Sequence, residues 1–279
     1  MSTTATTSDA QTKLDRLLAV LRPRERVLTA FSGGVDSTLV AAAARRALGR
    51  ANAPAVVGDS PSLPRRELEE ARQLARELDL ELIEVTPGEQ ADPGYQANAG
   101  DRCYFCKTHL YDALHALARE QGYRWIANGT NVDDLGDHRP GLRAADEAQV
   151  ISPLLDAGLT KQDVRDVAAL LDLPNADKPA AACLASRIPY GTPVTPERLA
   201  AVEQAEAALH ALGFAGFRVR HHEQVARLEL PWDQVARLMD DVMREQVIAA
   251  IKAAGFQFAA LDLEGFRSGS GNVLLTVSK

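Results

Sequence analysis

The sequence predicts an α/β protein, with a parallel-sheet nucleotide-binding domain followed by a smaller α+β domain. Three observations carry that expectation. An apolar run, RVLTAF at 26–31, leads directly into Ser32-Gly33-Gly34-Val35-Asp36-Ser37 and then into an Ala-rich helical run at 38–49. Apolar strand runs alternate with helical patterns as far as Pro174, which implies crossover connections and a sheet covered on both faces. After Pro174 the order changes to helix, strand, strand, helix, strand.

The first dozen residues, MSTTATTSDAQT, are polar and lack an apolar signal core, so they read as a loose tail. The nucleotide domain is expected over 13–174 and the second domain over 175–279. Strands are expected at 26–31, 53–58, 81–85 and 125–130, and helices at 38–49, 64–78, 104–121 and 160–171. Pro64 suits a first helical turn, and Gly49 and Gly122 suit helix ends. Residues 86–102, rich in Gly, Pro, Asn and Asp, read as a polar linker, and 131–147 as a charged loop. Residues 175–196 have the look of a long functional loop. A helix at 196–212, strands at 217–222 and 226–230, helices over 232–254 and a strand at 257–263 complete the chain.

Composition narrows the function. A chain of 279 residues with 46% hydrophobic and 25% charged content is ordinary for a globular protein of one or two domains. No apolar run reaches the length of a membrane span, so a cytoplasmic protein without a membrane partner is expected. A net charge of −7 argues against a nucleic-acid partner. Three cysteines are too few, and odd in number, for a disulfide framework.

A strand, a glycine turn and a helix start together make an anion site, because backbone N–H groups converge there and the helix dipole favours negative charge. Gly33 and Gly34 allow close approach of a phosphate. Ser32, Ser37 and Thr38 add hydroxyls, Val35 belongs to the same turn, and Asp36 can hold Mg²⁺ or orient the loop. Neither the lysine of GxxxxGK[ST] nor a GxGxxG pattern is present. SGGxDS instead resembles the pyrophosphate loop of the N-type ATP pyrophosphatases, which split ATP into AMP and pyrophosphate. Gly58 and Ser60 after the second strand, and Gly129, Asp133 and Asp134 after the fourth, are expected at the same crevice. Carboxylates there can hold Mg²⁺.

The cysteines admit three readings. Cys103, Cys106 and Cys183 can ligate a [4Fe–4S] cluster with one non-cysteine position. His109, in step with Cys103 and Cys106 on one helix face, can complete a Cys₃His zinc site. Or Cys183 acts alone as nucleophile or sulfur donor beside a redox or inert CxxC. Arg218 and Arg220 alternate along a strand and share a face, with His221 and His222 beside them, which suits carboxylate or phosphate. A solvated edge strand with protective charge is the competing reading.

SGGVDST at 32–38, DSPSLPR at 59–65, DRCYFCK at 101–107 and NGTNVDD at 128–134 are joined by more specific stretches. These are RPGLRAA at 139–145, SPLLDAGLTK at 152–161, ACLASRIPYGT at 182–192 and FRVRHH at 217–222. Over nearly its whole length the chain resembles the LarE family of ATP-dependent sulfur transferases. The resemblance implies a substrate, pyridinium-3,5-biscarboxylic acid mononucleotide, whose carboxylates are adenylated by ATP and then converted to thiocarboxylates for a nickel-pincer cofactor. It implies that Cys183 is essential, either as a sacrificial donor or, in the three-cysteine branch favoured by this sequence, as a ligand of a [4Fe–4S] cluster with Cys103 and Cys106. It implies that Arg218 and Arg220 bind the anionic substrate, with Glu206 and Arg187 nearby. It also implies a homo-oligomer, commonly a hexamer, and in the cluster branch a partner that reloads sulfur.

Rival readings predict different properties. A tRNA thiolase with the same loop predicts a basic surface. An amidotransferase-type synthetase predicts indifference to loss of Cys183. A nucleotide-binding regulator predicts stoichiometric structural zinc.

Overall fold

The chain opens with a helix over Thr3–Leu21 (α1), so the segment expected as a loose tail is helical from Thr3. Its apolar side chains recur at helical spacing, and Ala10, Leu14, Leu17 and Leu21 are buried. The computed structural model describes residues 3–136, 140–179 and 181–267. Two units emerge: residues 1–89 with 103–181, and residues 90–102 with 182–279. The division falls after Ala181, a few residues beyond the Pro174 boundary expected from composition. The supposed linker, 86–102, contributes all of its residues from Gln90 onward to the second unit.

In chain order the elements after α1 are β1 (Val27–Ala30), α2 (Val35–Leu48), β2 (Ala55–Gly58), α3 (Arg65–Glu77) and β3 (Leu82–Val85). They are followed by α4 (Pro93–Gln96), α5 (Arg102–Gln121), β4 (Trp125–Ala127), α6 (Pro140–Glu147), α7 (Pro153–Asp156) and α8 (Lys161–Leu170). Last come α9 (Pro196–Ala211), β5 (Arg218–His222), β6 (Val225–Glu229), α10 (Trp232–Val235), α11 (Asp241–Ala253) and β7 (Phe258–Leu261).

The first unit holds a four-stranded sheet in the order β3-β2-β1-β4, parallel throughout. Thr29 pairs with Ala55, and Leu28 with Ile126. A parallel bridge from Ala127 to Ile151 extends the pairing beyond β4. The connection through α2 runs from β1 to β2 on one side, while β4 lies on the other, so the loop after β1 stands at the switch point where open parallel sheets bind ligands. One core layer gathers Leu14, Leu17 and Leu21 of α1, Leu39 and Val40 of α2, and Val164 and Val167 of α8. Another gathers Leu28, Val56 and Ile126 of the strands with Tyr111, Leu114 and Ala118 of α5. Ala144 and Ala145 join that layer, which explains why the supposed charged loop contains α6: one face of it has an apolar partner.

The start of α8 is set by a capping box, in which Thr160 Oγ1 accepts from the Asp163 N–H and the Asp163 carboxylate accepts from the Thr160 N–H. Lys13 Nζ of α1 lies 2.6 Å from the same carboxylate. Partial burial pushes the Asp163 carboxyl up, but the Lys13 ammonium and the two Thr160 hydrogen bonds outweigh it and hold the carboxyl below the usual aspartate range. A depressed native value stabilises the fold above the unfolded-state value and is lost as pH falls through the native one. Asp163→Ala is therefore expected to cost about 1–2 kcal/mol at neutral pH. The gap to wild type should narrow in urea titrations run below about pH 4. An equal gap at both pH values would contradict this coupling.

The second unit carries a three-stranded sheet in the order β5-β6-β7, with β5 antiparallel and β7 parallel to β6. Leu199, Val202 and Leu209 of α9 are buried, as are Val219, Leu228, Val247, Ile251 and Phe256. The helices expected over 232–254 are α10 and α11, separated by a 3₁₀ turn at Ala236–Met239, and Asp240 caps α11 by accepting from the Met243 N–H at 2.8 Å. Residues 92–102 are ordered rather than linker-like. Asp92 caps α4, and the buried Asn98 side chain donates to the carbonyls of Pro189 and Thr192, both at 2.8 Å.

Candidate active site

The loop after β1 folds as the residue types require. Gly33 adopts φ +72°, where a side chain would be strained, and a Cβ there would also lie 3.2 Å from Ala71 Cβ. Gly34 is the N-cap of α2. The first N–H groups of α2 have no intrahelical partner, and the earliest intrahelical bond runs from Thr38 N to Gly34 O at 3.0 Å. Ser37 Oγ accepts from Ser32 N at 3.1 Å and donates to Gly34 O at 3.0 Å, while Thr38 Oγ1 donates to Gly34 O at 2.9 Å. Two of the expected hydroxyl ligands thus brace the loop itself.

The loop after β4 is packed directly on this turn. A Cβ on Gly129 would lie 2.8 Å from Ser37 N, so only glycine allows the approach. Asn131 Nδ2 donates to Asp36 Oδ1 at 2.9 Å and links the two loops. Asp133 Oδ2 accepts from the Lys161 N–H at 2.6 Å, at the start of α8, and Asp134 Oδ2 accepts from the Asn131 N–H at 3.1 Å. After β2, the Ser60 hydroxyl donates to the buried Glu89 carboxylate, and Arg65 ties the turn by donating to Asp59 Oδ1, Ser60 O and Leu63 O. A Cβ on Gly58 would lie 3.1 Å from both Leu110 Cδ1 and Pro87 Cγ, so this glycine serves packing.

In the second unit, Cys183 begins a 3₁₀ turn over Leu184–Arg187 and is half-buried, with a free thiol. The carbonyls around it are held by guanidinium groups. Arg187 Nη1 donates to Ala182 O at 2.6 Å and Cys183 O at 2.9 Å, Arg102 Nη1 to Ala185 O at 2.9 Å, and Arg220 Nη1 to Ser186 O at 2.8 Å. Each of these arginines is buried, and two are neutralised by bidentate carboxylates. Glu206 receives Arg187 at 3.0 and 3.1 Å, and Glu229 receives Arg220 at 3.0 and 2.8 Å. Arg187, Arg220 and Glu206, expected beside the substrate, are therefore engaged in shaping the Cys183 loop.

Arg218 differs. Among the described residues it has no carboxylate within salt-bridge distance. Its Nη1 donates to its own neighbour's carbonyl, Phe217 O, at 2.8 Å, and its guanidinium lies 5.3 Å from the Phe266 ring. Burial pushes its pKa down, and the Arg187 charge adds to this. Arg218 thus remains a half-buried cation suited to an anion. His221 faces away from this strip; its buried ring meets Phe256 edge-on, and burial lowers its pKa.

Cys103 and Cys106 lie one turn apart at the start of α5, the first exposed and the second half-buried, and neither is in a disulfide. Gly141 of α6 approaches this turn, while Arg139, the first residue of RPGLRAA, lies outside the described residues. Within either unit, no three His, Cys, Asp or Glu side chains converge on a metal-sized site among the described residues.

Sequence reasoning missed Asn98, Arg102, Asn175, Glu89 and Glu229. Asn98, at φ +51°, left a faint signal, since asparagine tolerates that conformation. The others pair across stretches of chain too long for a local pattern to reveal.

A parallel sheet with a glycine turn and an open helix start at its switch point defines a nucleotide-phosphate-binding α/β enzyme. A family model described as NAD synthase matches residues 17–98. The chain is 39% identical over 265 residues to the pyridinium-3,5-bisthiocarboxylic acid mononucleotide synthase of Lactiplantibacillus plantarum, covering 95% of each chain. It is 44% identical over 266 residues to the uncharacterized protein slr1717 of Synechocystis sp., covering 95% of this chain and 99% of that one. It is 27% identical to the uncharacterized protein MJ0830 of Methanocaldococcus jannaschii, covering 88% of this chain and 92% of that one. The chain belongs to the LarE family and is an ATP-dependent enzyme.

Proposed function

We propose that this protein is a sulfur transferase that uses ATP to convert the carboxylates of pyridinium-3,5-biscarboxylic acid mononucleotide into thiocarboxylates, for a nickel-pincer cofactor. The observation that carries this reading is the end-to-end match to the synthase of Lactiplantibacillus plantarum. A bare carboxylate resists nucleophiles. Its oxygen attacks the α-phosphorus of ATP, the bond to the β-phosphate oxygen breaks, and pyrophosphate leaves. A sulfur nucleophile then adds to the acyl carbon, and AMP departs with the former carboxylate oxygen.

The chain's own residues bind and orient. Backbone N–H groups at 33–37 take the pyrophosphate portion of ATP. Asp36 and Asp133 supply hard oxygen donors of the kind that suit Mg²⁺ beside phosphate, with Asn131 and Lys161 fixing their orientation. Arg218 takes an anionic group of the mononucleotide. Arg187, Arg220 and Arg102 hold the Cys183 loop in shape. Three cysteines outside any disulfide, Cys103, Cys106 and Cys183, fit a [4Fe–4S] cluster with one open position. Such a cluster would supply sulfide to the activated carbonyl. The enzyme acts in the cytoplasm as a homo-oligomer, and a partner reloads the sulfur.

Anaerobic incubation with ATP, Mg²⁺ and the biscarboxylate mononucleotide tests the reading. AMP and thiocarboxylate should form together, both dependent on the mononucleotide. AMP without any thiocarboxylate, or an amide formed from ammonia, would contradict it. Arg218→Ala is expected to lower kcat/KM for the mononucleotide by about 10- to 100-fold and leave the KM for ATP nearly unchanged. Equal losses for both substrates, measured by steady-state kinetics, would refute the separate role of Arg218.

A further inference from the structure

Asn175 follows the last helix of the first unit and is 6% exposed. Its Nδ2 donates to Gly33 O and to Thr38 Oγ1, both at 2.9 Å. Its Oδ1 is buried without a hydrogen-bond partner among the described residues. A buried acceptor left unsatisfied is costly, so this amide is held for the sake of its two donated bonds. Three residues on, Lys178 Nζ lies 2.7 Å from Glu67 Oε2 and 2.8 Å from Glu70 Oε2 of α3. Ala71, the neighbour of Gly33, is on the same face of that helix.

We infer that Asn175 is a positioning residue for the pyrophosphate loop, with Lys178 locking its backbone against α3. The inference rests on the loop's proposed use as the phosphate site of ATP. In a trans peptide the carbonyl of one residue and the N–H of the next point in opposite directions. Capture of Gly33 O by Asn175 therefore aims the Gly34 N–H the other way, on the side of Ser32 Oγ at 3.4 Å. Without Asn175 the flexible Gly33–Gly34 peptide can rotate and present its carbonyl to the anion. The Thr38 bond fixes the same amide to the first turn of α2, so the turn and the helix start keep one geometry.

Calorimetric binding of ATP, pyrophosphate and AMP to the full chain tests this. Asn175→Ala and the isosteric Asn175→Asp are each expected to weaken ATP and pyrophosphate about tenfold or more, while AMP, which lacks the pyrophosphate, changes less than about twofold. Lys178→Met should show the same pattern at smaller size, and it carries the test if neither Asn175 variant folds. Unchanged affinity for ATP and pyrophosphate, or parallel loss of all three ligands, would overturn the positioning role. Wild-type protein that binds neither ATP nor pyrophosphate would overturn the functional reading, and this inference with it.

Discussion

Cys183→Ala is expected to lower thiocarboxylate formation by at least about 10³-fold while a burst of pyrophosphate from ATP survives. The thiol and the pyrophosphate loop belong to different units, and removing one sulfur atom leaves the anion site untouched. The Cys183 loop also has little reason to collapse. Its carbonyls are held by Arg187, Arg102 and Arg220 through contacts that do not involve the thiol. Rapid-quench measurement of pyrophosphate, alongside mass analysis of the product, separates the two half-reactions. Thiocarboxylate formation at the wild-type rate would contradict any essential role for Cys183. The mass of the wild-type chain after turnover distinguishes the two sulfur sources. A sacrificial donor is left as dehydroalanine at 183, whereas a cluster-borne sulfur leaves the chain mass unchanged.

Glu229→Ala is expected to be the most destabilising single change in the second unit, by about 3–5 kcal/mol. The Glu229 side chain is fully buried and accepts from two guanidinium groups, Arg220 on β5 and Arg227 on its own strand at 3.0 Å. Arg227 has a second carboxylate, Asp262 at 3.3 Å, while the buried Arg220 places both Nε and Nη2 on Glu229. Truncation removes the bidentate carboxylate from a buried guanidinium, the costly case for a buried pair. Denaturant titration measures the loss, and a change below about 1 kcal/mol would place the pair among ordinary surface bridges. Sulfur transfer should fall with it, because Arg220 also holds Ser186 O on the Cys183 loop.

What the sequence disclosed and what it hid follow from range. The strand–SGGVDS–helix unit was legible because its signals are local: an apolar run, a glycine demanded by φ +72° at Gly33, and an Ala-rich helix. The first helix was also written in the chain, in the spacing of Leu14, Leu17, Leu18 and Leu21, but the polar residues before it masked that stripe. Helix α6 was missed because its buried residues, Ala144 and Ala145, are small and stand among charges. Arg218 and Arg220 alternate on one strand face and looked equivalent. They are not, since the hairpin register sets Arg218 opposite Glu229 while Arg220 takes both oxygens of that carboxylate. No local pattern encodes such a choice, nor the reach of Asn98 to carbonyls about ninety residues away.

The most direct test of carboxylate activation followed by sulfur transfer is isotopic. Substrate labelled with ¹⁸O in its carboxylates should give AMP carrying one labelled oxygen for each thiocarboxylate formed, since the oxygen that attacks phosphorus leaves with AMP. Unlabelled AMP, or ADP as the nucleotide product, would contradict it.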